Sequence, residues 1–403
     1  MPASSRRVRT PRADLPKIEH PLQLGGIRTG SLDAPGAGGG PGVRVAHVDT
    51  GAGLRFTVAL DRGGDIVDAA FNDCALAYLT PNGLTPPSAA FHRDNEWLRN
   101  WPGGLVTTCG PEYIGGARTE VGTPVTLHGR FSNTPAALVS LTNPDPRRGR
   151  LGMSLALVIR DTRVFGPNFE IRRRLSCVLG RPEITIEDEV ENIGDTPAAH
   201  HWLYHCNLGY PLLDEGARFV YRGRARYWVV PSTPGEDILQ PLPASAMEKL
   251  KRVPAPLAAH AGGGERGLVV ELAPERDGQC RIGLVNARRG LGLEFTFPHT
   301  ALPRLAHWQH YGPRGSYASA LEPFRGSLLG SAREKDPSFH PTLNPGEIRR
   351  YRLRLTVLRG STELRQLLAC DRPLGVAGPL ARPHRRKRAE SLKGDRRDSP
   401  DLS

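Results

Sequence analysis

The sequence contains no run of about 18–20 apolar residues, the length that a membrane-spanning helix requires. Its first segment, residues 1–12, is polar and rich in arginine, and no apolar stretch follows it, so a secretory signal peptide is not expected. Membrane partners and export are therefore disfavoured, and we expect a cytoplasmic protein.

Cysteine is scarce and never occurs in a Cys-x-x-Cys motif. The six cysteines lie far apart, several of them within apolar segments, which argues against a disulfide framework or a structural zinc site. They are Cys74, Cys109, Cys177, Cys206, Cys280 and Cys370. The spacing is typical of a protein in a reducing compartment.

Acidic residues are fewer than basic ones, 41 against 54, but the excess of positive charge is concentrated at the ends of the chain. Residues 1–18 and 380–403 together carry +8 of the formal net charge of +13. The remainder is an ordinary surface charge, and no RNP, zinc-finger or helix-turn-helix signature accompanies it. The charge therefore predicts basic, solvated tails and no nucleic-acid partner.

Helical periodicity is rare, and short segments of alternating or β-branched residues are separated by many glycines and prolines. This pattern predicts an all-β protein, a large antiparallel β-sandwich with few short helices. The expected strands are Val43–Asp49, Leu54–Leu60, Asp65–Phe71, Ala137–Thr142, Met153–Arg160, Asn168–Val178, Glu183–Asn192, His200–Leu208, Gly267–Leu272, Arg281–Asn286, Leu291–Pro298, Ser316–Leu321 and Arg349–Leu358. The expected helices are Ala246–Arg252 and Glu363–Ala369.

The strand Glu183–Asn192 shows the clearest alternation. Ile184, Ile186, Asp188 and Val190 share one face, and the other face is mostly glutamate, so we expect the glutamates to be solvated.

No internal linker divides the body of the chain. We expect a single domain over residues 16–360, a short helix over 361–374, and disordered basic tails over 1–15 and 375–403.

Three segments place polar side chains where a strand or tight turn usually has none. In Leu127–Arg130, a glycine separates His128 from Arg130, which lets the backbone approach a ligand closely, although an exposed loop would also account for the motif. In His200–Leu213, strand alternation puts His201, His205 and Asn207 on one face.

The second segment has three interpretations. The histidines are structural, or they bind sugar hydroxyls with aromatic rings nearby, or His201 and His205 ligate a metal with His307 and His310. The metal set has no recognised ligand spacing, so no metal is assigned.

The third segment, Tyr317–Phe324, is a strand of small residues that ends with the carboxylate of Glu322 before a proline. Just upstream, Leu305–His310 adds Trp308 and Gln309 in an alternating pattern. Glu322 is either a routine acid at the end of a strand or part of a site.

Taken in order, these segments resemble the galactose mutarotase-like (aldose 1-epimerase) superfamily, and in detail its aldose 1-epimerase-like branch of uncharacterised function. The resemblance covers about residues 20–358. Further segments that resemble this branch are Val45–Arg55, Leu60–Ile66, Gly103–Gly110, Phe165–Asn168 and Leu203–Asp214.

The resemblance implies a β-supersandwich with a sugar site in a cleft on one sheet, and it implies roles for individual residues. His128 matches the histidine of the family's Leu-His-Gly-Gly motif, with Arg130 in place of the last glycine, and Glu322 matches the catalytic carboxylate of a Leu-Glu strand. The catalytic histidine of the family aligns with Leu203, so His205, two residues along on the same strand face, takes its place, with His201 in reserve. Arg62 substitutes for a family arginine whose motif this sequence lacks.

The function implied is mutarotation of a sugar, a monosaccharide or derivative, with Glu322 as base, His205 as acid and no cofactor. The expected substrate-binding residues are His128, Arg130, Arg62, Asn207, His201, Trp308 and Gln309. A non-catalytic carbohydrate-binding protein and a carbohydrate lyase or other processing enzyme on the same fold are the alternatives. The arginines suggest an acidic sugar without requiring one.

Overall fold

The computed structural model describes residues 17–33, 42–120, 123–228, 239–330, 334 and 336–371. The tails expected over residues 1–15 and 375–403 lie outside these residues. The strands run as follows: β1 Gly26–Leu32, β2 Val43–Asp49, β3 Leu54–Ala59, β4 Asp65–Phe71, β5 Cys74–Ala75, β6 Tyr78–Leu79, β7 Gly103–Gly104, β8 Val106–Cys109, β9 Arg118–Glu120, β10 Thr123–Val125, β11 Ala136–Thr142, β12 Gly152–Asp161, β13 Phe169–Val178, β14 Glu183–Asn192, β15 Ala198–Ala199, β16 Trp202–Gly209, β17 Arg218–Val220, β18 Gly223–Trp228, β19 Leu239–Pro241, β20 Arg266–Leu272, β21 Gln279–Asn286, β22 Leu291–Pro298, β23 Arg304–Tyr311, β24 Tyr317–Arg325, β25 Thr342–Leu343 and β26 Ile348–Arg359. The α-helices are α1 Trp97–Asn100, α2 Ala244–Leu250 and α3 Gly360–Leu368.

Two large antiparallel sheets account for most of these strands. The first has twelve strands in the order β1-β2-β3-β4-β8-β16-β24-β23-β20-β18-β19, with β5 paired to β4. The second has eight strands in the order β11-β12-β13-β14-β26-β22-β21-β17. The predicted class, a large antiparallel β-sandwich with few short helices, is confirmed.

The sheets pack face to face around a single apolar core. Phe56 and Ile66 of the first sheet and Leu155 and Ile186 of the second belong to one buried cluster. Burial of apolar surface in this core supplies most of the stabilisation of the folded state, at about 25 cal/mol for each Å² removed from water.

One charged network crosses this core. Arg173 of β13 is fully buried, and its guanidinium lies 2.8 Å from Asp188 of β14 and 3.1 Å from Asp65 of β4. The hydroxyl of Tyr204 on β16 donates to Asp188 at 2.6 Å. The network thus connects the second sheet to β4 and to β16. Burial raises the pKa of Asp65 to about 6, although the Arg173 cation opposes this.

The predicted alternation of β14 is confirmed. Ile184, Ile186, Asp188 and Val190 are buried, and the glutamates of the other face are partly exposed. Two of them pair with arginines of β26, Glu189 with Arg350 at 2.8 Å and Glu187 with Arg352 at 3.6 Å. Such solvated pairs contribute at most about 1 kcal/mol each to stability.

Helix α3 packs on the second sheet through Leu364 and Leu367, which join Val220, Val285 and Leu358 in a small buried cluster. Among the described residues, no helix is both long and apolar enough to cross a membrane.

Candidate functional site

A cavity of about 430 Å³ opens on the face of the twelve-stranded sheet that points away from the core. Strand alternation explains this placement, because Tyr204 and Cys206 of β16 belong to the core cluster and His205 between them faces the other way. His128, His205, Trp308 and Glu322 all line the cavity. The structure thus brings His128, His205 and Glu322 together in one cavity.

His205 and Glu322 form a buried pair on adjacent strands. Cys206 of β16 lies opposite Leu321 of the antiparallel strand β24, so the residues next to them, His205 and Glu322, lie side by side on the cavity face. Nε2 of His205 lies 3.3 Å from Oε1 of Glu322, and the two side chains are only 6% and 5% exposed. The pair is close enough to exchange a proton directly.

Burial sets the proton affinities of this pair. It raises the pKa of Glu322 well above its usual value, and the negative charge of Glu265 adds to the increase. It lowers the pKa of His205 well below its usual value, with a further decrease from His128 and an opposing effect of the Asn207 side chain. Both directions favour the neutral forms, which are a protonated carboxyl at Glu322 and an unprotonated imidazole at His205.

His128 reaches the cavity from a turn. Its φ of 61° lies in the left-handed region, which few residues other than glycine adopt, asparagine, aspartate and histidine more often than the rest. A Cβ atom at the following Gly129 would lie 2.6 Å from the carbonyl oxygen of Tyr113 and 2.7 Å from that of Gly110, so only glycine fits there. The turn holds the His128 ring 5.4 Å from that of His205, between centroids.

The imidazole of His128 is neutral at physiological pH, because burial lowers its pKa to about 4. Within the described residues, three buried side-chain atoms at this site have no well-aligned hydrogen-bond partner. They are Nδ1 of His128, Nδ1 of His205 and Oδ1 of Asn207. Buried polar atoms without partners are costly in a stable core, and they are expected where a ligand supplies the missing bonds.

Aromatic rings form the walls of the cavity. Four of the five tryptophans in the sequence line it. They are Trp97, Trp101, Trp228 and Trp308. Trp97 and Trp101 stack with centroids 5.0 Å apart, and Trp101 lies 5.5 Å from the His205 ring. This arrangement suits a ligand with apolar faces and polar edges.

Hydrogen bonds hold three of these indoles in place. The ring nitrogen of Trp97 donates to Ser132, that of Trp101 to Thr107, and that of Trp308 to Glu265 at 2.6 Å. Of these tryptophans, only Trp308 was expected from the sequence to bind the sugar. The spacing of Trp97 and Trp101, four residues apart in a polar segment, is the signal that could have identified the other wall.

Arg62 and Arg130 do not line the cavity. The buried Arg62 donates to the carbonyl oxygens of Ser132 and Asn100, at 2.7 and 3.0 Å, and Arg130 lies 2.5 Å from Asp161. Their guanidinium groups bind protein groups and do not line the cavity, so the direct sugar contacts expected of them are not supported. The suggestion of an acidic sugar, which depended on these two residues, loses its basis.

His201, Asn207 and Gln309 are also absent from the cavity lining among the described residues. Nδ1 of His201 accepts from the backbone N–H of Ser327 at 3.0 Å, and the amide of Gln309 donates to the carbonyl of Leu250 at 2.6 Å. Asn207 donates to the His205 carbonyl at 3.0 Å. The expected sugar contacts of these three are likewise not supported, because each is directed toward the protein.

No group of three or more His, Cys, Asp or Glu side chains in the described part of the chain is arranged to hold a metal ion. His307, one of the histidines of the metal alternative, instead accepts or donates in a bond of 3.0 Å with the Tyr221 hydroxyl.

Comparison with known proteins gives a family and a fold. A family model described as a domain of unknown function (DUF4432) matches residues 40–357, and no curated protein matches the sequence. Among solved structures, a candidate aldose 1-epimerase from Klebsiella pneumoniae is 19% identical, with a TM-score of 0.75 over 92% of this chain and 94% of that one.

Two further structures have the same fold at lower similarity. A galactose mutarotase-like protein from Clostridium acetobutylicum is 12% identical, with a TM-score of 0.58 over 84% of this chain and 99% of that one. A candidate aldose 1-epimerase from Escherichia coli K12 is 14% identical, with a TM-score of 0.52 over 83% and 100%. The chain therefore belongs to the DUF4432 family, and its fold is that of the galactose mutarotase-like and aldose 1-epimerase-like proteins.

Proposed function

We propose that the protein is a carbohydrate mutarotase, which interconverts the anomers of a sugar by general acid and base catalysis. The observation that carries the proposal is the buried pair of His205 and Glu322, 3.3 Å apart in a cavity walled by tryptophan. The fold shared with aldose 1-epimerase-like proteins supports it.

In the proposed reaction, the Glu322 carboxylate takes the proton of the anomeric hydroxyl while His205 gives a proton to the ring oxygen. The bond between the anomeric carbon and the ring oxygen breaks, and its electron pair goes to the ring oxygen. The open-chain aldehyde rotates about the adjacent carbon–carbon bond, and the ring closes from the other face with both proton transfers reversed. Both oxygens are bonded to one carbon, so the acid and the base have to lie close together.

For this reaction the pair of His205 and Glu322 has to hold one proton in total, and the effect of burial on the two pKa values favours that state. With the pKa of Glu322 raised and that of His205 lowered, the state with a single proton is the stable one, and moving it from the carboxyl to the imidazole gives the active form. This transfer exchanges no proton with solvent. Hydroxyl groups of a bound sugar favour the charged form, because they solvate the carboxylate.

Two neighbouring residues have supporting roles in this proposal. Neutral His128 hydrogen-bonds a sugar oxygen and stabilises charge that develops on it. Asn207 is a positioning residue: its side chain raises the pKa of His205 against the effect of burial, and its amide N–H donates to the His205 carbonyl at 3.0 Å. Trp308 and the Trp97–Trp101 wall cover the apolar faces of the sugar ring.

The test follows the optical rotation of freshly dissolved α-D-glucose and α-D-galactose with and without the protein. We expect the approach to equilibrium to accelerate in proportion to protein concentration. A wild-type protein that binds these sugars without accelerating their mutarotation would contradict the proposal and favour a carbohydrate-binding protein.

A further inference from the structure

The cavity extends beyond the pair of His205 and Glu322 along three neighbouring strands. Gly267 of β20 lies directly opposite Trp308 of β23. On the other side of β20, Tyr227 lies opposite Leu268, which brings the next residue, Trp228, beside Gly267. Residues opposite one another in a sheet share a face, and all three of these line the cavity.

The absence of a side chain at Gly267 leaves a slot between the two indoles. A Cβ atom at this position would come within 4 Å of Trp228 only, at 3.4 Å from its Cβ and 3.9 Å from its Cγ. The space toward Trp308 is therefore open. The strands that carry Trp228 and Trp308 lie on either side of β20, so their backbones are about 10 Å apart. A sugar ring that contacts an apolar face on each side needs about 7–8 Å between those two faces, which this distance allows.

The slot lies too far from the acid–base pair to hold the reacting ring. Glu322 is on β24 and Gly267 is two strands away on β20, again a distance of about 10 Å. The ring that presents its anomeric carbon to Glu322 lies next to Trp101 and Trp308, and a ring over Gly267 has to be a second one. Two sugar rings joined by a glycosidic bond fit this arrangement.

Polar groups border the slot. Glu265, which directly precedes β20, accepts a hydrogen bond from the indole N–H of Trp308. Glu265 and the next residue, Arg266, both line the cavity. A carboxylate and a guanidinium side by side offer acceptors and donors to the hydroxyl groups at the edge of a neutral sugar ring.

We propose that the slot over Gly267, between Trp228 and Trp308, is a second sugar subsite, and that the substrate is a reducing disaccharide or longer oligosaccharide. The reducing ring lies at His205 and Glu322 and the next ring lies in the slot. This assignment of the substrate rests on the proposed mutarotase function, but occupancy of the slot is measurable separately.

The experiment compares D-glucose with cellobiose, maltose and lactose, each of which has glucose as its reducing ring, by calorimetric titration and by polarimetry. The wild-type protein should bind at least one disaccharide about tenfold more tightly than its monosaccharide. The variant Gly267→Val fills the slot with a side chain that suits a strand, and it should abolish this preference while changing monosaccharide binding less than twofold.

Gly30→Val is the matched control, because Gly30 is on a strand, has no atom within 4 Å of its Cβ position, and lies outside the cavity lining. It should retain the disaccharide preference. If Gly267→Val fails to fold, Trp228→Leu removes one wall of the slot and should give the same loss of preference.

The results separate the two proposals. A wild-type protein that interconverts monosaccharide anomers but prefers none of the disaccharides would overturn the subsite and leave the mutarotase function intact. Preferential disaccharide binding that depends on Gly267, without turnover of any sugar, would support the subsite and overturn the mutarotase function. Failure to bind any of these sugars would overturn both.

Discussion

Replacing Glu322 by glutamine separates the chemistry of the site from its shape. Glutamine preserves the side-chain volume and keeps a polar atom about 3.3 Å from Nε2 of His205, but it removes the carboxylate that accepts the anomeric proton. General-base catalysis contributes about 10²–10⁴-fold to a rate. We therefore expect the kcat of Glu322→Gln to fall at least about a hundredfold, with KM changed about threefold or less.

Stability provides an internal control for this variant. The pKa of Glu322 is raised in the folded state above its unfolded value of about 4.3. Above that value the unfolded chain releases a proton that the folded chain retains, so this carboxyl lowers the free energy of unfolding as pH rises. Glu322→Gln should thus have a Tm equal to or above that of the wild type, with the difference increasing with pH.

The assay measures mutarotation by polarimetry on the wild type, on Glu322→Gln and on a control variant. Glu271→Gln is a suitable control, because Glu271 is an exposed residue of β20 that pairs with Arg224 at 2.8 Å. It should retain full activity. A Glu322→Gln variant with more than about a tenth of the wild-type kcat would refute the assignment of Glu322 as base.

Three further predictions concern neighbouring groups. His205→Asn should lose at least about a hundredfold in kcat, and the double variant with Glu322→Gln little more, because both groups act in one ring opening. His128→Asn is a suitable variant because asparagine tolerates the left-handed backbone. The pKa of His128 is lowered from 6.5 to about 4 in the folded state, so between these pH values the unfolded chain binds a proton that the folded chain does not. As the pH falls from 6.5 to 4, the wild type should therefore lose up to about 3 kcal/mol more of its free energy of unfolding than this variant. Chemical denaturation should show a loss of about 3–5 kcal/mol for Arg173→Met, which leaves buried carboxylates unpaired, against about 0.5 kcal/mol or less for the exposed Arg352→Met.

The fold was largely predictable from the sequence because short apolar or β-branched segments are separated by glycines and prolines, and because strands such as β13, β14 and β26 alternate between a buried and a more exposed face. β2, β4, β14 and β22 have the predicted bounds. The strand β23, Arg304–Tyr311, was not included among the expected strands, although its alternation was noted. Polar or aromatic residues occupy both faces of β23: the side chains of His307 and Gln309 form hydrogen bonds to protein groups, and both His307 and Trp308 line the cavity.

The site was predictable only in part. His128 and Glu322 were identified through the resemblance of their segments to aldose 1-epimerase motifs, and His205 through that resemblance together with strand alternation. The positions of Arg62 and Arg130 were not predictable, because a guanidinium suits a ligand and a buried carbonyl equally well, and only the tertiary structure brings Ser132 and Asp161 to them. The cavity walls at Trp97 and Trp228 come from the short helix α1 and from the end of β18, and only the tertiary structure brings both to the cavity beside β16.

The central claim is that the single proton shared by His205 and Glu322 drives interconversion of sugar anomers. The most direct measurement is exchange NMR at neutral pH on the equilibrated anomers of D-glucose, D-galactose and the disaccharides cellobiose and lactose. We expect exchange between the α and β anomeric signals of at least one of these sugars with the wild type, and none above the buffer rate with Glu322→Gln or His205→Asn. Exchange at the buffer rate for every sugar with the wild type, or undiminished exchange with both variants, would contradict the central claim.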